Sequence, residues 1–154
     1  NRLKADLFVS VHINANNSSR VSGAEVYFPR ISIVSSGAQW PPSVASAEVA
    51  LPTVTVKQIL WDLVLGRTRS QSHRLAASVC SALRQDLDVT CKSKSAKFVV
   101  LKESWMPSVL VEVGYVSNRE ESRRLGLADY RQAAAHAIAR GIVSYSRALG
   151  AEHL

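Results

Sequence analysis

Two short runs of β-branched and apolar residues constrain this chain more than anything else in it. Ser10-Val11-His12-Ile13-Asn14-Ala15 and Met106-Pro107-Ser108-Val109-Leu110-Val111-Glu112-Val113-Gly114-Tyr115 each read as a strand that must be buried. Yet each carries one ionisable side chain at or near its carboxyl end. Burying an unpaired carboxylate is costly, so Glu112 is expected to be paired, to titrate high, or to do chemistry. Period-2 counting puts Val109, Val111 and Val113 on one face and Leu110 and Glu112 on the other. Apolar neighbours there would raise the Glu112 pKa toward the range of a general base.

The rest of the chain surrounds these strands with alternating elements. Asp6 to His12 is apolar on both faces and reads as an interior strand covered on both sides. After an Asn/Ser-rich loop, Gly23 introduces a second strand over Ala24–Phe28, stopped by Pro29. Residues 32–55 hold Pro41, Pro42 and Pro52 among Ser and Gly without periodicity, which reads as a long loop or insertion. Ile59 to Leu63 begins a helix, and Ser72 opens a clearer one in which Leu75, Val79, Leu83 and Leu87 recur every four residues. Phe98–Leu101 and Val109–Val113 read as two further strands. Asn118 caps a short helix, with Glu121 at capping-box spacing and Gly126 at its end. Asp129 caps the last helix, whose buried side is Ala133, Ala134, Ala137, Ile138, Ile142, Tyr145 and Leu149. Strands interleaved with helices predict an α/β fold, a mostly parallel sheet with helices on both faces.

A length of 154 residues with 47% apolar content supports one domain, taken as residues 1–150. No apolar run reaches the 18 or more residues of a membrane span. Nineteen Lys and Arg against 12 Asp and Glu give a net charge of +7, which favours an anionic partner. The cations are scattered and little interleaved with aromatics, which argues against nucleic acid. Cys80 and Cys91 lack the spacing of a zinc ribbon and read as buried free thiols, with a single disulfide the alternative.

Ligands of open α/β sheets gather at the carboxyl ends of the strands, where His12 and Glu112 both lie. Each has a plain alternative: His12 as a core histidine bonded to a backbone carbonyl, Glu112 as an ion pair with Lys94, Lys97 or Lys102. Together they point to metal-assisted hydrolysis. His73 at a helix start, His136 in mid-helix and His153 in the tail share no element with His12 and read as solvated. Glu25 reads as structural or as a residue supporting the site.

In chain order, SVHINA, GAEVYF, SHRLAASV, KSKSAKFVVL, MPSVLVEVGYVSN and DYRQAAAHAIARGI resemble the zinc-dependent N-acetylmuramoyl-L-alanine amidases of the amidase type 3 family. The resemblance covers nearly the whole chain. It implies that His12 is a zinc ligand, that Glu112 is the acid/base of amide hydrolysis, and that Asn14 lies beside the substrate. It further implies peptidoglycan as the partner and a periplasmic or secreted location. Nucleic acid is not expected, a monomer is, and any activator protein is left unidentified.

The resemblance also implies two ligands on an upstream histidine-bearing turn and a glutamate-bearing helix. The chain begins after both, so it reads as cut from something longer, with its first strand and helix missing. One ligand of three cannot hold zinc tightly, so these 154 residues alone are expected to be inactive. The rival reading is a non-catalytic peptidoglycan-binding module with a degenerate metal site. Some relatives place an autoinhibitory helix where residues 32–55 fall, and Glu48 is the only carboxylate there to play that part.

Overall fold

The computed structural model describes residues 5–30, 54–102 and 104–151, with the backbone alone for residues 54–62 and for Lys102. The loop expected over 32–55, with Glu48, and the tail residue His153 lie outside the described residues, except that residues 54 and 55 begin a helix. In chain order the elements are β1 (Phe8–Asn14), β2 (Ala24–Pro29), α1 (Val54–Leu87), β3 (Cys91–Ala96), α2 (Val99–Lys102), β4 (Ser108–Tyr115), α3 (Arg119–Gly126) and α4 (Ala128–Ala151).

The sheet runs β1-β4-β2-β3. β1 pairs with β4 and β2 with β3 in parallel, while β2 and β4 are antiparallel. The parallel pair β2 and β3 is joined through α1, as a crossover connection requires. All eight residues of β4 are buried. The fully buried strand therefore takes a central place, flanked on both edges.

That order corrects the reading of β1. It is an edge of the sheet among the described residues, with Val11 and Ile13 more than half exposed. An apolar run alone does not show that a strand is covered on both faces, and its periodicity does not say which strand is central.

The core lies between one face of the sheet and the helices. Ala24, Val26 and Phe28 of β2 and Val109, Val111 and Val113 of β4 meet Leu75, Val79, Leu83 and Leu87 of α1. α4 lies chiefly against α1, through Ala134, Ala137, Ile138 and Tyr145, with Ala133, Ile142 and Leu149 partly buried beside them. The expected buried side of that helix is the observed one.

Two boundaries differ from expectation. α1 runs unbroken through Ser72, whose hydroxyl donates to the Thr68 carbonyl one turn back at 2.7 Å and accepts from the Ser108 amide at 3.0 Å. A buried serine with both jobs satisfied serves mid-helix, not as a cap. The expected strand Phe98–Leu101 is instead the turn leading into the short α2, and the strand lies earlier, over the polar Cys91–Ala96. Phe98 meets Tyr27 edge-on at 5.0 Å and Leu101 is buried, while Val99 is largely exposed. That is the i, i+3 spacing of a helical turn. α2 thus covers the sheet face opposite α1. β3 escapes an apolar pattern because it is an edge, where lysines deter pairing with other chains.

Cys80 and Cys91 form a disulfide, which corrects the reading of free thiols. Cys80 follows Val79 on the inward stripe of α1, and Cys91 is the inward-facing first residue of β3, so the helix and strand bring them together over the sheet. Spacing alone does not show that meeting. Closing a loop with a sequence separation of 11 gives about 3 kcal/mol by chain entropy. A Cys80→Ser, Cys91→Ser double variant is expected to lose about that much in chemical denaturation, and an unchanged midpoint would refute the estimate.

Gly141 marks the crossing of α4 over α1. A Cβ there would stand 2.6 Å from the Val79 Cα, and the Ser78 hydroxyl donates to the Gly141 carbonyl at 2.8 Å. Gly141→Ala gains up to about 1 kcal/mol of helix propensity but overpacks the contact by about 1–3 kcal/mol. A net fall in melting temperature is expected; a rise would show that the helices separate freely.

Candidate active site

Register builds the site. On the parallel pair His12 stands opposite Glu112, and on the antiparallel pair Glu25 stands opposite Glu112. Directly paired residues project from the same face, so His12, Glu112 and Glu25 form one row on three neighbouring strands. Their face is the one opposite the valine core.

The three members differ in environment. His12 is exposed, and its Nε2 lies 2.7 Å from the Ser10 hydroxyl, two residues back on the same face. Glu112 is only 9% exposed, and its Oε2 is buried with no hydrogen-bond partner among the described residues. Burial pushes its carboxyl above the ordinary carboxylate range; the His12 charge pulls it back, and the Glu25 charge raises it further.

Glu25 has the opposite fate. Burial works to raise its pKa but is outweighed by the Lys94 ammonium and by the Tyr27 and Tyr115 hydroxyls, which bond its oxygens and hold it below the usual range. Burial and the Glu25 charge in turn push the Tyr115 hydroxyl up to about 12. Lys94, one of the cations expected to pair with Glu112, pairs with Glu25 instead. Both carboxylates face the same way from neighbouring strands, and only one of them is neutralised.

Asn14 sits just beyond the row. The β1–β4 register slips between His12 and Asn14, so that Asn14 pairs with Tyr115. Its Oδ1 accepts from the Ala15 amide at 2.8 Å, and its carbonyl accepts from Val116 at 2.8 Å. The following loop is tied to the end of β4: the Asn16 amide donates to the Ser117 hydroxyl, and the Asn118 side chain donates to the Ser19 carbonyl, each at 3.0 Å.

Glu121 shows a role that local pattern reading missed. Asn118 caps α3 as expected, accepting from the Glu120 and Glu121 amides. The Glu121 carboxylate, however, does not return to the cap as a capping box would have it. It accepts from the Gly23 and Tyr115 amides, each at 2.7 Å, and so clasps the start of β2 to the end of β4. Gly23 has φ +101°, and a Cβ there would press on the Thr90 side chain and carbonyl. α4 begins at Ala128, one residue before the expected cap Asp129.

His73 lies on the other face, its ring tilted against Phe28 with centroids 4.9 Å apart, and His136 meets Gln132 on α4 at 2.9 Å. Neither is near the row. Ser10, Tyr27 and Tyr115 are the neighbours that sequence reasoning did not single out. The first two are legible as i±2 neighbours of His12 and Glu25, and Tyr115 only through strand pairing.

Among the described residues no three His, Cys, Asp or Glu side chains are gathered to hold a metal ion. The exposed imidazole of His12 beside the buried Glu112 suits one ligand and an adjacent base. It does not complete the three-ligand set of a catalytic zinc.

Glu25 carries a pH signature. Its folded pKa lies below the unfolded value, so its contribution is present above the ordinary carboxylate pKa of 4.5 and is lost as pH falls through the lowered folded value. The melting-temperature gap between the wild type and Glu25→Gln is expected to narrow as pH falls below 4.5. A gap that stays constant with pH would mean Glu25 is not held ionised.

The sequence profile described as N-acetylmuramoyl-L-alanine amidase matches residues 1–144. The amidase AmiA of Escherichia coli is 32% identical over 150 residues, covering 92% of this chain and 52% of AmiA. LytC of Bacillus subtilis, an amidase of the same name, is 33% identical over 145 residues, covering 94% of this chain and 22% of LytC. The chain thus spans about half the length of AmiA, or less for LytC. Among solved structures, amidase AmiC2 of Nostoc punctiforme superposes with a TM-score of 0.66 at 30% identity, over 95% of this chain and 61% of AmiC2. The catalytic domain of CwlV, an amidase from Bacillus (Paenibacillus) polymyxa, gives 0.63 at 28% identity, over 95% and 60%. With a fold shared over nearly its whole length and a profile matching all but its last residues, the chain belongs to the N-acetylmuramoyl-L-alanine amidase family.

Proposed function

We propose that residues 1–150 belong to the catalytic domain of a zinc-dependent amidase that hydrolyses the bond between N-acetylmuramic acid and L-alanine in bacterial peptidoglycan. One observation carries the reading: Glu112, a buried carboxylate with one oxygen unpartnered among the described residues, stands in register with a surface imidazole, His12, at the carboxyl end of a parallel strand pair. A group left unpaired at that cost is best explained by a partner that arrives with the reaction.

His12 would be one zinc ligand, with the others drawn from outside the described residues. Zinc, when bound, supplies Lewis acidity toward a carbonyl and a water. The chain's own contribution is the proton. Glu112, raised by burial and by the neighbouring Glu25 and lowered in part by His12, accepts a proton from the attacking water and delivers it to the departing amine. Ser10 fixes the His12 ring through its hydroxyl. Asn14, on the bulged end of β1, faces the rim where the glycan-peptide junction would lie.

Location follows from substrate and from chemistry. Peptidoglycan lies outside the cytoplasmic membrane, and the Cys80–Cys91 bridge suits an oxidising compartment, so a periplasmic or secreted enzyme is proposed. No helix among the described residues is long and apolar enough to cross a membrane. A net charge of +7 favours approach to an anionic wall polymer.

In the full-length protein, Glu112→Gln is expected to slow the clearing of purified peptidoglycan at least ~100-fold. Near wild-type clearing would remove Glu112 from the role. A chelator is expected to abolish clearing and added zinc to restore it, while His12→Ala lowers the bound zinc measured by atomic emission. Full activity in chelator would overturn the metal assignment.

A further inference from the structure

We infer that Lys92 recognises a free carboxylate on the stem peptide of the substrate, next to the amide that is cut. This rests on the amidase reading and extends it to specificity.

The register continues past Glu25. Glu25 stands opposite Lys92 on β3, so the row on this face runs His12, Glu112, Glu25, Lys92 across all four strands. With strands ~4.8 Å apart, Lys92 lies two strands, or about 10 Å, from Glu112. A stem peptide leaving the scissile amide extends by ~3.5 Å per residue. A stem peptide laid along the row toward β3 would put a carboxylate on its second residue about 7 Å from the cut amide, and the flexible four-carbon stem of lysine closes the remainder.

Charge distribution favours the same assignment. Glu25 is the adjacent anion, but its oxygens are already taken by Lys94, Tyr27 and Tyr115. Lys92 is exposed and makes no ion pair among the described residues. Its base is nonetheless fixed. Cys91, the residue before it, is bridged to α1, and the Cys91 carbonyl accepts from Arg84 Nε at 3.1 Å and Nη2 at 2.8 Å. A mobile ammonium on an anchored backbone suits a carboxylate whose distance from the cut bond is set by the peptide. An edge lysine also deters strand pairing, but that role cannot distinguish one substrate from another.

The test compares two muropeptides that differ only at the second stem residue, one with a free α-carboxylate and one with the carboxamide. The full-length enzyme is expected to cleave the acidic one with a kcat/KM about fivefold higher, the size an exposed charge pair gives, expressed mainly in KM. Lys92→Gln is expected to bring the ratio to about one, and Lys92→Arg to keep it. A ratio of one in the wild type, or an unchanged ratio in Lys92→Gln, overturns the inference while leaving the amidase reading intact. Calorimetric titration of the same pair into Glu112→Gln protein reads the preference without turnover. A Lys92-dependent preference there, with no cleavage by the wild type, would uphold Lys92 and overturn the amidase reading.

Discussion

The carboxylate of Glu112 is buried in the central strand β4, and one of its oxygens has no partner among the described residues. An acid so placed is destabilising unless its neutral form dominates or something compensates it. The surroundings do both in part. Burial raises its pKa, and the imidazole of His12 offers partial electrostatic compensation on one side only. The rest of the fold reads as what is needed to hold that arrangement in place.

Three fastenings do so, each reaching the same end of the sheet. Glu121 spends its carboxylate on the backbone amides of Gly23 and Tyr115, tying β2 to β4 where the row lies. The Cys80–Cys91 bridge and the Arg84 guanidinium anchor the first residue of β3 to α1. The loop after β1 is stitched to the end of β4 by Asn16 and Asn118. Side chains held on strands whose ends are fixed are better placed for chemistry than side chains on free loops. The cost is that several polar groups are committed to scaffolding.

Much of this was legible in the sequence because strong patterns have few structural solutions. The four-residue repeat from Leu75 to Leu87 found its sheet, the alternation in Val109–Val113 fixed the face of Glu112, and the inward side of α4 came out residue by residue. What was not legible depended on partners distant in sequence. Nothing local shows that β1 is an edge, that a polar CKSKSA segment pairs as a strand, or that Cys80 and Cys91 meet. Glu121 is the sharpest case: its spacing from Asn118 suits a capping box, but two unsatisfied amides of the sheet outbid a helix end already served by Asn118. Ser72 misled for a related reason, since a serine serves a helix start and a buried mid-helix site by the same hydroxyl.

Glu25 and Glu112 show why residue type and burial together still do not assign a role. Both are glutamates, both are buried, and they face one another across a strand pair. Glu25 is surrounded by one ammonium and two hydroxyls and is held ionised; Glu112, buried between His12 and the charge of Glu25, is pushed toward neutrality. Two like groups whose environments drive their pKa values apart are suited to different tasks, one fixed in charge and the other exchanging a proton. The fixed charge also acts on the exchanging one: with Glu25 ionised, the neighbouring carboxyl is a stronger base than it would be without that charge, which offsets part of the lowering by His12. Lys94 tempers that effect without cancelling it, because it bonds Glu25 from the β3 side, away from Glu112. The polar edge strand that looked least informative in the sequence is therefore the one that sets the charge on which the base strength of Glu112 partly depends.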